Sequence, residues 1–258
     1  AGGGARGGGI PLGFRRGRTA KDMLKVEWTY PVYKATTPAR KPGQRTVAKE
    51  VDRALPIEKA FELVAVGDKR PLLILRECEL CKGTDHAMLS RTLDNEQTVL
   101  LTHWFRCVKL PPNVLNEKHP FYNLFKKGER EKKVPHLFFS DPNGDNKKAL
   151  PGDQAQSVLW KVMFSYLDRC YDENAKVAIK QLRKILGSYD NLDAAEQLIR
   201  SRIDKEIEKN GPKSRKLAKF DRDLAKCAKE RKALRKKEAE LRDLALKAPV
   251  EPAPEAAG

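Results

Sequence analysis

The sequence predicts an α/β sandwich, with a central mixed sheet flanked by helices, followed by an all-α, partly coiled-coil C-terminal extension. Three observations predict it. Leu72–Leu73–Ile74–Leu75 is a continuous apolar run, the pattern of a strand buried on both faces. Asp141–Pro142–Asn143–Gly144 is a turn signal between two short strand-like runs, as an antiparallel hairpin requires. Residues 171–247 hold almost nothing but helix formers, and their last part repeats apolar positions at alternating three- and four-residue spacings.

Taken in order, residues 1–50 read as an irregular basic arm. Glycines dominate the first nine positions, Pro11, Pro31, Pro38 and Pro42 punctuate the rest, and Arg15, Arg16 and Arg18 form a basic knot beside Phe14. Within the arm, Lys25–Tyr33 has strand-like residues and is expected to pack Trp28 on the core. Residues 51–170 carry the ordered domain. Ile57–Val66 predicts a helix entered through Pro56, with Ile57, Ala60, Phe61 and Val64 on its apolar side, and Gly67–Asp68 turns the chain into the Leu72–Leu75 strand. A helix is expected over about Glu79–Leu93, through Leu80, Met88 and Leu89, then a short helical turn Gln97–Leu101 and a strand His103–Leu110. Pro111–Lys133 reads as a polar connection with one helical turn near Phe121–Phe125. Val134–Ser140 and Asn146–Leu150 are the arms of the hairpin, and Gln154–Arg169 is the closing helix.

The extension, residues 171–247, divides into Lys176–Leu186 ending at Gly187, Leu192–Lys209 ending at Gly211–Pro212, and a heptad-like helix from Leu217. Its seam runs through Leu217, Phe220, Leu224, Cys227, Arg231, Leu234, Glu238, Leu241 and Ala245, with Arg231 and Glu238 interrupting it by charge. A homodimer, or a helical protein partner bound through 212–247, is the expected use of that seam. In a parallel homodimer two Cys227 thiols would face each other. Residues 248–258 are Pro/Ala-rich and expected to be disordered.

Charge bounds the function. The net charge of +17 is unevenly spread: residues 1–70 hold 15 Lys/Arg against 7 Asp/Glu, residues 71–170 hold 15 against 12, and residues 171–258 hold 22 against 16. The basic flanks permit attraction to anionic partners. Aromatic residues are sparse in the basic stretch 126–133, which speaks against a specific nucleic-acid module there. No run of about 18 apolar residues exists to span a membrane. The N-terminal glycines precede no helix, so they make no phosphate loop. Lys126, Lys127, Arg130, Lys132 and Lys133 read as a solvated basic loop.

Five cysteines, at 78, 81, 107, 170 and 227, are too few for a disulfide scaffold. Cys78 and Cys81 are two residues apart at the start of an expected helix. There the macrodipole and free N–H groups favour the thiolate, the reactive form in thiol–disulfide exchange. The same spacing serves zinc, which needs two more ligands; Cys107, His86 and His103 are the available candidates, with no second CxxC among them. A static disulfide is the other alternative. Cys107, between Phe105 and Val108, reads as a buried inert thiol, and Cys170 as structural. His119 and His136 read as solvated or hydrogen-bonded histidines, with His136 also in reach of whatever binds beside Pro135.

The succession of apolar strand, CxxC, helix, strand, connection, Val-Pro, hairpin and closing helix resembles the thioredoxin-like superfamily, in particular its secreted domains. The residues that carry the resemblance are Arg70–Pro71–Leu72–Leu73, Cys78, Cys81–Lys82, Thr92–Leu93, His119–Pro120, Val134–Pro135, Phe138–Phe139 and Asp141–Pro142–Asn143–Gly144, over about residues 55–170. The resemblance implies that Cys78 attacks a substrate disulfide and Cys81 resolves the mixed disulfide. It implies a cis Pro135 facing Cys78, with Val134, Pro135 and His136 gripping an extended protein substrate. No metal or organic cofactor is implied, because the two sulfurs carry the electrons. The sequence departs from the family pattern at Glu77 and Glu79, whose charges oppose a thiolate, at Leu72, where strongly reducing members keep a buried acid, and in the length of the helix after Cys81. With a start at Ala1, left by processing or by an arbitrary boundary, the family subtype leads to an expected secreted or periplasmic location. The competing expectation is a non-catalytic scaffold or adaptor that binds a protein partner through its helical arm and basic flanks.

Overall fold

The computed structural model describes residues 16–33, 54–77, 85–90, 93–126 and 134–247. They form two units, one drawn from the described residues between 26 and 163 and the other from 16–25 and 164–247. Among them are a four-stranded mixed sheet and six α-helices.

In the first unit, β1 (Leu72–Arg76) pairs in parallel with β2 (Arg106–Leu110) on one edge and antiparallel with β3 (Leu137–Ser140) on the other; β4 (Lys148–Leu150) closes the order β2-β1-β3-β4. Leu72, Leu73, Ile74 and Leu75 are all buried, as an apolar run without polar alternation dictates. The pleat sends Leu72 and Ile74 into a cluster with Val108, Leu110 and Phe138, roofed by α2 (Ile57–Ala65) and Phe125. In that cluster the rings of Phe61 and Phe125 meet Phe138 edge-on, with centroids 6.2 and 5.3 Å away. Beyond the opposite face lie α3 (Glu96–Thr102) and the first half of α4 (Gln156–Cys170), which are joined where Trp160 Nε1 donates to Thr98 Oγ1 at 2.9 Å.

The hairpin turn forms at Asp141–Gly144, where Gly144 N donates to the Asp141 carbonyl at 2.9 Å. Glycine is required there twice over: φ is +93°, and a Cβ would lie 2.4 Å from the Phe61 ring. Lys25–Tyr33 adds to the outer edge of β2 through a single bridge, Thr29 to Val108, and Trp28 is half-buried. Residues 103–105, expected as strand, instead continue α3 as a turn, with Phe105 N donating to the Thr102 carbonyl at 3.0 Å. A further short 3-10 helix, Pro112–Leu115, was not expected, while Tyr122–Phe125 matches the expected helical turn. The expected helix over Glu79–Leu93 is corrected where it is described. Residues 86–89 form a turn on the Asp85 carbonyl, which accepts from Met88 N and Leu89 N at 2.9 and 2.7 Å. Asn95 then exchanges two hydrogen bonds with the Ser90 backbone, giving the chain a local alternative to helix. Residues 79–84, 91 and 92 lie outside the described residues.

In the second unit, α5 (Ala175–Asn210) and α6 (Leu217–Arg242) form an antiparallel hairpin turned at Gly211–Pro212. Asn174 caps α5, its Oδ1 accepting from Lys176 N at 2.9 Å. The expected break at Gly187 is absent. Ile185, Leu186, Tyr189 and Leu192 are buried on either side of it, and that stripe carries the helix through a residue of low propensity. The seam of α6 packs on α5 of the same chain. Cys227 is buried in that seam. The charges that interrupted the heptads are its pairs. Arg231 Nη2 reaches Glu196 Oε2 at 2.7 Å and Asp193 Oδ1 at 3.1 Å, and Tyr189 Oη donates to Glu238 Oε2 at 2.8 Å. Burial and the adjoining Glu238 carboxylate push the Tyr189 hydroxyl well above the ordinary range, keeping it a donor.

Part of the stretch read as an irregular arm is helix. The segment α1 (Arg18–Met23) docks on α5 by its N-terminal end. Gly17 N and Arg16 Nη1 donate to Asp190, both at 2.7 Å, and Thr19 N and Oγ1 donate to Asp193 at 2.8 and 2.7 Å. Burial opposes the charge of Asp193, but the bonds from Thr19 and Arg231 outweigh it and hold its carboxyl below the usual range. Residues 1–15, 34–53 and the tail 248–258 lie outside the described residues. Among the described residues no helix is long and apolar enough to cross a membrane.

Gly187 tests the continuity of α5. Nothing lies within 4 Å of a Cβ built there. Gly187→Ala should therefore stabilise the protein by about 0.5–1 kcal/mol, read as a rise in the urea midpoint at unchanged slope. A chain broken at this position would show no gain.

Candidate functional site

The cysteines Cys78 and Cys81 lie outside the described residues, as do Glu79 and the basic residues Lys127, Arg130, Lys132 and Lys133. Their described surroundings begin at the C-terminal end of β1. Arg76 N donates to the His136 carbonyl at 2.8 Å and Glu77 N to the Leu110 carbonyl at 2.8 Å, so the strand end is gripped from both neighbouring strands. Glu77 is the residue bonded to Cys78.

Beside this strand end sits a buried polar cluster. Lys109 of β2 is 6% exposed and Asp85 is 8% exposed. Lys109 Nζ lies 2.6 Å from Asp85 Oδ1 and 3.7 Å from Glu77 Oε1. Trp28 Nε1 donates to the other Asp85 oxygen at 3.1 Å, and the ammonium stands 5.2 Å from the centre of the Trp28 ring. A buried ammonium demands such company, since an unpaired one carries the full desolvation penalty. The cluster ties together β2, the Lys25–Tyr33 segment, the start of the 85–90 turn and the residue preceding Cys78. It also places a cation against Glu77, offsetting the charge that the sequence sets beside the first cysteine.

Val134, Pro135 and His136 lead into β3, next to the end of β1. Val134 packs on the core at its edge, Pro135 is buried, and His136 is half-buried. The expectation of a cis Pro135 is corrected: no peptide bond among the described residues is cis. Trans is the intrinsically favoured isomer, and the straight run into the β1–β3 ladder asks for no reversal here. The carbonyls that were to grip a substrate have partners on β1. Pro135 O accepts from Arg76 Nε at 3.4 Å, and His136 O accepts from Arg76 N. Burial, assisted by the Arg76 charge, holds the His136 imidazole below the usual histidine range, so it is neutral near pH 7. Gly152 fits closely against it. A Cβ at 152 would lie 3.0 Å from that of His136 and 3.2 Å from that of Ala87. Gln154 Nε2 donates to the Ala87 carbonyl at 2.6 Å, fastening the 85–90 turn to the start of the segment that leads into α4.

The remaining singled-out residues sit apart from this arrangement. Cys107 is buried in β2 with its thiol on the Thr102 carbonyl at 3.5 Å, and burial pushes its pKa up to about 12, so it is protonated and unreactive at neutral pH. Cys170 ends α4, its carbonyl accepting from Lys247 N at 2.9 Å. No disulfide involves Cys107, Cys170 or Cys227. His119 Nδ1 accepts from Phe121 N at 3.2 Å, and burial lowers its pKa. Among the described residues no three His, Cys, Asp or Glu side chains are grouped to hold a metal.

Sequence reasoning missed Trp28, Asp85 and Lys109 as site residues. The available signal was Lys109 itself, a single charge inside the apolar run Cys107–Leu110. Comparisons of the chain with family models, with curated proteins and with solved structures found no match.

Removing one partner of the buried pair leaves the other charge uncompensated. Lys109→Met should cost about 3–5 kcal/mol in urea unfolding. The double variant Lys109→Met/Asp85→Leu should recover most of that loss, because it removes both charges together. Equal losses in the single and double variants would contradict the pairing.

Proposed function

We propose that this chain is a thiol–disulfide oxidoreductase of thioredoxin-like type that works through Cys78 and Cys81. One observation carries the reading. The sheet order β2-β1-β3-β4, with only β3 antiparallel to β1, brings Val134–Pro135–His136 beside the strand end from which Cys78 follows after Glu77. In the proposed reaction the Cys78 thiolate attacks one sulfur of a protein disulfide, and the other sulfur leaves as a thiolate. The Cys81 thiolate then attacks the Cys78 sulfur of the mixed disulfide, which releases the second substrate thiolate and closes Cys78–Cys81. Two electrons pass from the enzyme dithiol to the substrate, and solvent protons neutralise the thiolates released. Lys109 supports Cys78 by pairing with Glu77, whose free carboxylate would otherwise raise the cost of a thiolate next to it.

A second reading, a non-catalytic thioredoxin-like scaffold or adaptor, is favoured by one specific observation. The carbonyls of Pro135 and His136 each already accept a hydrogen bond from Arg76, and the Pro135 ring is buried, so this segment offers an extended substrate little open surface. The redox equilibrium separates the two. In a series of glutathione buffers, with thiols trapped by alkylation and mapped by mass spectrometry, the oxidoreductase should show a Cys78–Cys81 midpoint between about −120 and −270 mV. A pair still oxidised below about −300 mV, or one that never closes, would leave the scaffold reading standing. Cys107 serves as the internal control and should remain unalkylated in the native protein throughout.

A further inference from the structure

The hairpin of the second unit carries a basic groove that the redox reading does not use. About 540 Å³ in volume, it runs along α5 and is closed on one side by α6. Lys176, Lys180 and Lys184 follow each other at one-turn intervals on α5, and Lys237 joins them from α6. The apolar part of the lining is Val177, Ile185 and Leu234, and Val177 is 54% exposed. No carboxylate lines the groove.

What sets the groove apart is that its cations are gathered in one row beside exposed apolar surface. Several other cations of the hairpin do meet acids: Arg231 with Asp193 and Glu196, Arg200 with Glu196, Lys216 with Glu206, Lys226 with Asp223, and Arg242 with Glu238. Lys180, Lys184 and Lys237 have no such partner among the described residues. Four cations have thus been gathered around exposed apolar surface without any internal anion. Such a surface holds like charges together at a cost, which an external anion removes.

We propose that this groove docks an acidic amphipathic helix of a protein partner. Successive lysines four residues apart on α5 are spaced about 6 Å along the helix axis. Glutamates at i, i+4 and i+8 of a second helix have the same spacing and would meet the row one to one. The apolar residues beside those glutamates would cover Val177 and Leu234. A nucleic-acid strand matches the charge but not this lining, which offers apolar surface and no aromatic ring for a base to stack on. The inference is independent of Cys78 and Cys81, and its test leaves their chemistry untouched.

The test uses the full chain and fluorescence anisotropy with a labelled synthetic helix-forming peptide. The peptide carries Glu on three successive turns and Leu on the adjoining face. A second peptide with Gln in place of Glu and a single-stranded oligothymidylate serve as comparison probes. The Glu peptide should bind and weaken with salt. Lys180→Glu/Lys184→Glu should weaken it about tenfold or more, and Val177→Ser about threefold to fivefold. Lys180→Gln/Lys184→Gln, milder for the fold, should give a smaller loss in the same direction, with unchanged helical circular dichroism. The inference is overturned if the Glu peptide does not bind, if the charge variants bind it as the parent does, or if the oligonucleotide binds more tightly and ignores Val177→Ser.

Discussion

The first unit depends on one constraint: β1 is apolar at four consecutive positions and must be covered on both faces. No polar residue interrupts Leu72–Leu75, so neither face can be left to water. One face takes α2 and the phenylalanine cluster, the other takes α3 and the start of α4. Pairing on both edges makes β1 a central strand, with β2 parallel and β3 antiparallel beside it. The end of such a strand is where irregular backbone first meets the outside of the sheet. Here that end holds Glu77, Lys109, Asp85 and His136. The polar cluster is tolerated because each buried charge meets an opposite one within hydrogen-bonding range, and because Trp28 supplies the additional donor to Asp85.

The second unit solves a different problem. A heptad seam broken by Arg231 and Glu238 is a poor generic coiled coil but a specific hairpin. Arg231 finds Asp193 and Glu196, and Glu238 finds Tyr189, only when α5 and α6 are antiparallel and in this register. Other registers would strand those groups against apolar neighbours, so the polar positions select an arrangement at some cost in seam hydrophobicity. Asp193 does double duty, since it also receives Thr19 and so anchors α1 on the same helix.

Much of this was legible in the sequence. The apolar run, the Asp141–Gly144 turn, the α2 periodicity and the Gly211–Pro212 stop each act locally, through pleat, dihedral or side-chain spacing. What was not legible depended on tertiary partners. Gly187 reads as a helix end until the buried stripe on both sides is seen to override its propensity. Residues 85–90 read as helix because the apolar Met88 and Leu89 fit the period, whereas Asp85 and Asn95 commit the backbone to a turn. The seam announces that α6 packs, but heptads do not distinguish a neighbour in the same chain from a second copy. For the site, Val134–Pro135–His136 is brought to the end of β1. The occupancy of the Pro135 carbonyl depends on Arg76, which no local pattern links to it.

The central claim, that Cys78 is an exchange nucleophile and Cys81 its resolver, is tested most directly by interrupting the second step. The Cys81→Ser variant is exposed to glutathione disulfide, and the adducts are mapped by mass spectrometry beside the parent chain and the Cys78→Ser variant. The account predicts that Cys81→Ser accumulates a glutathione mixed disulfide on Cys78. The parent should close Cys78–Cys81 without retaining glutathione, and Cys78→Ser should react much more slowly at Cys81. Equal, slow modification of both cysteines, or a parent chain that ends with glutathione on each of them, would contradict it.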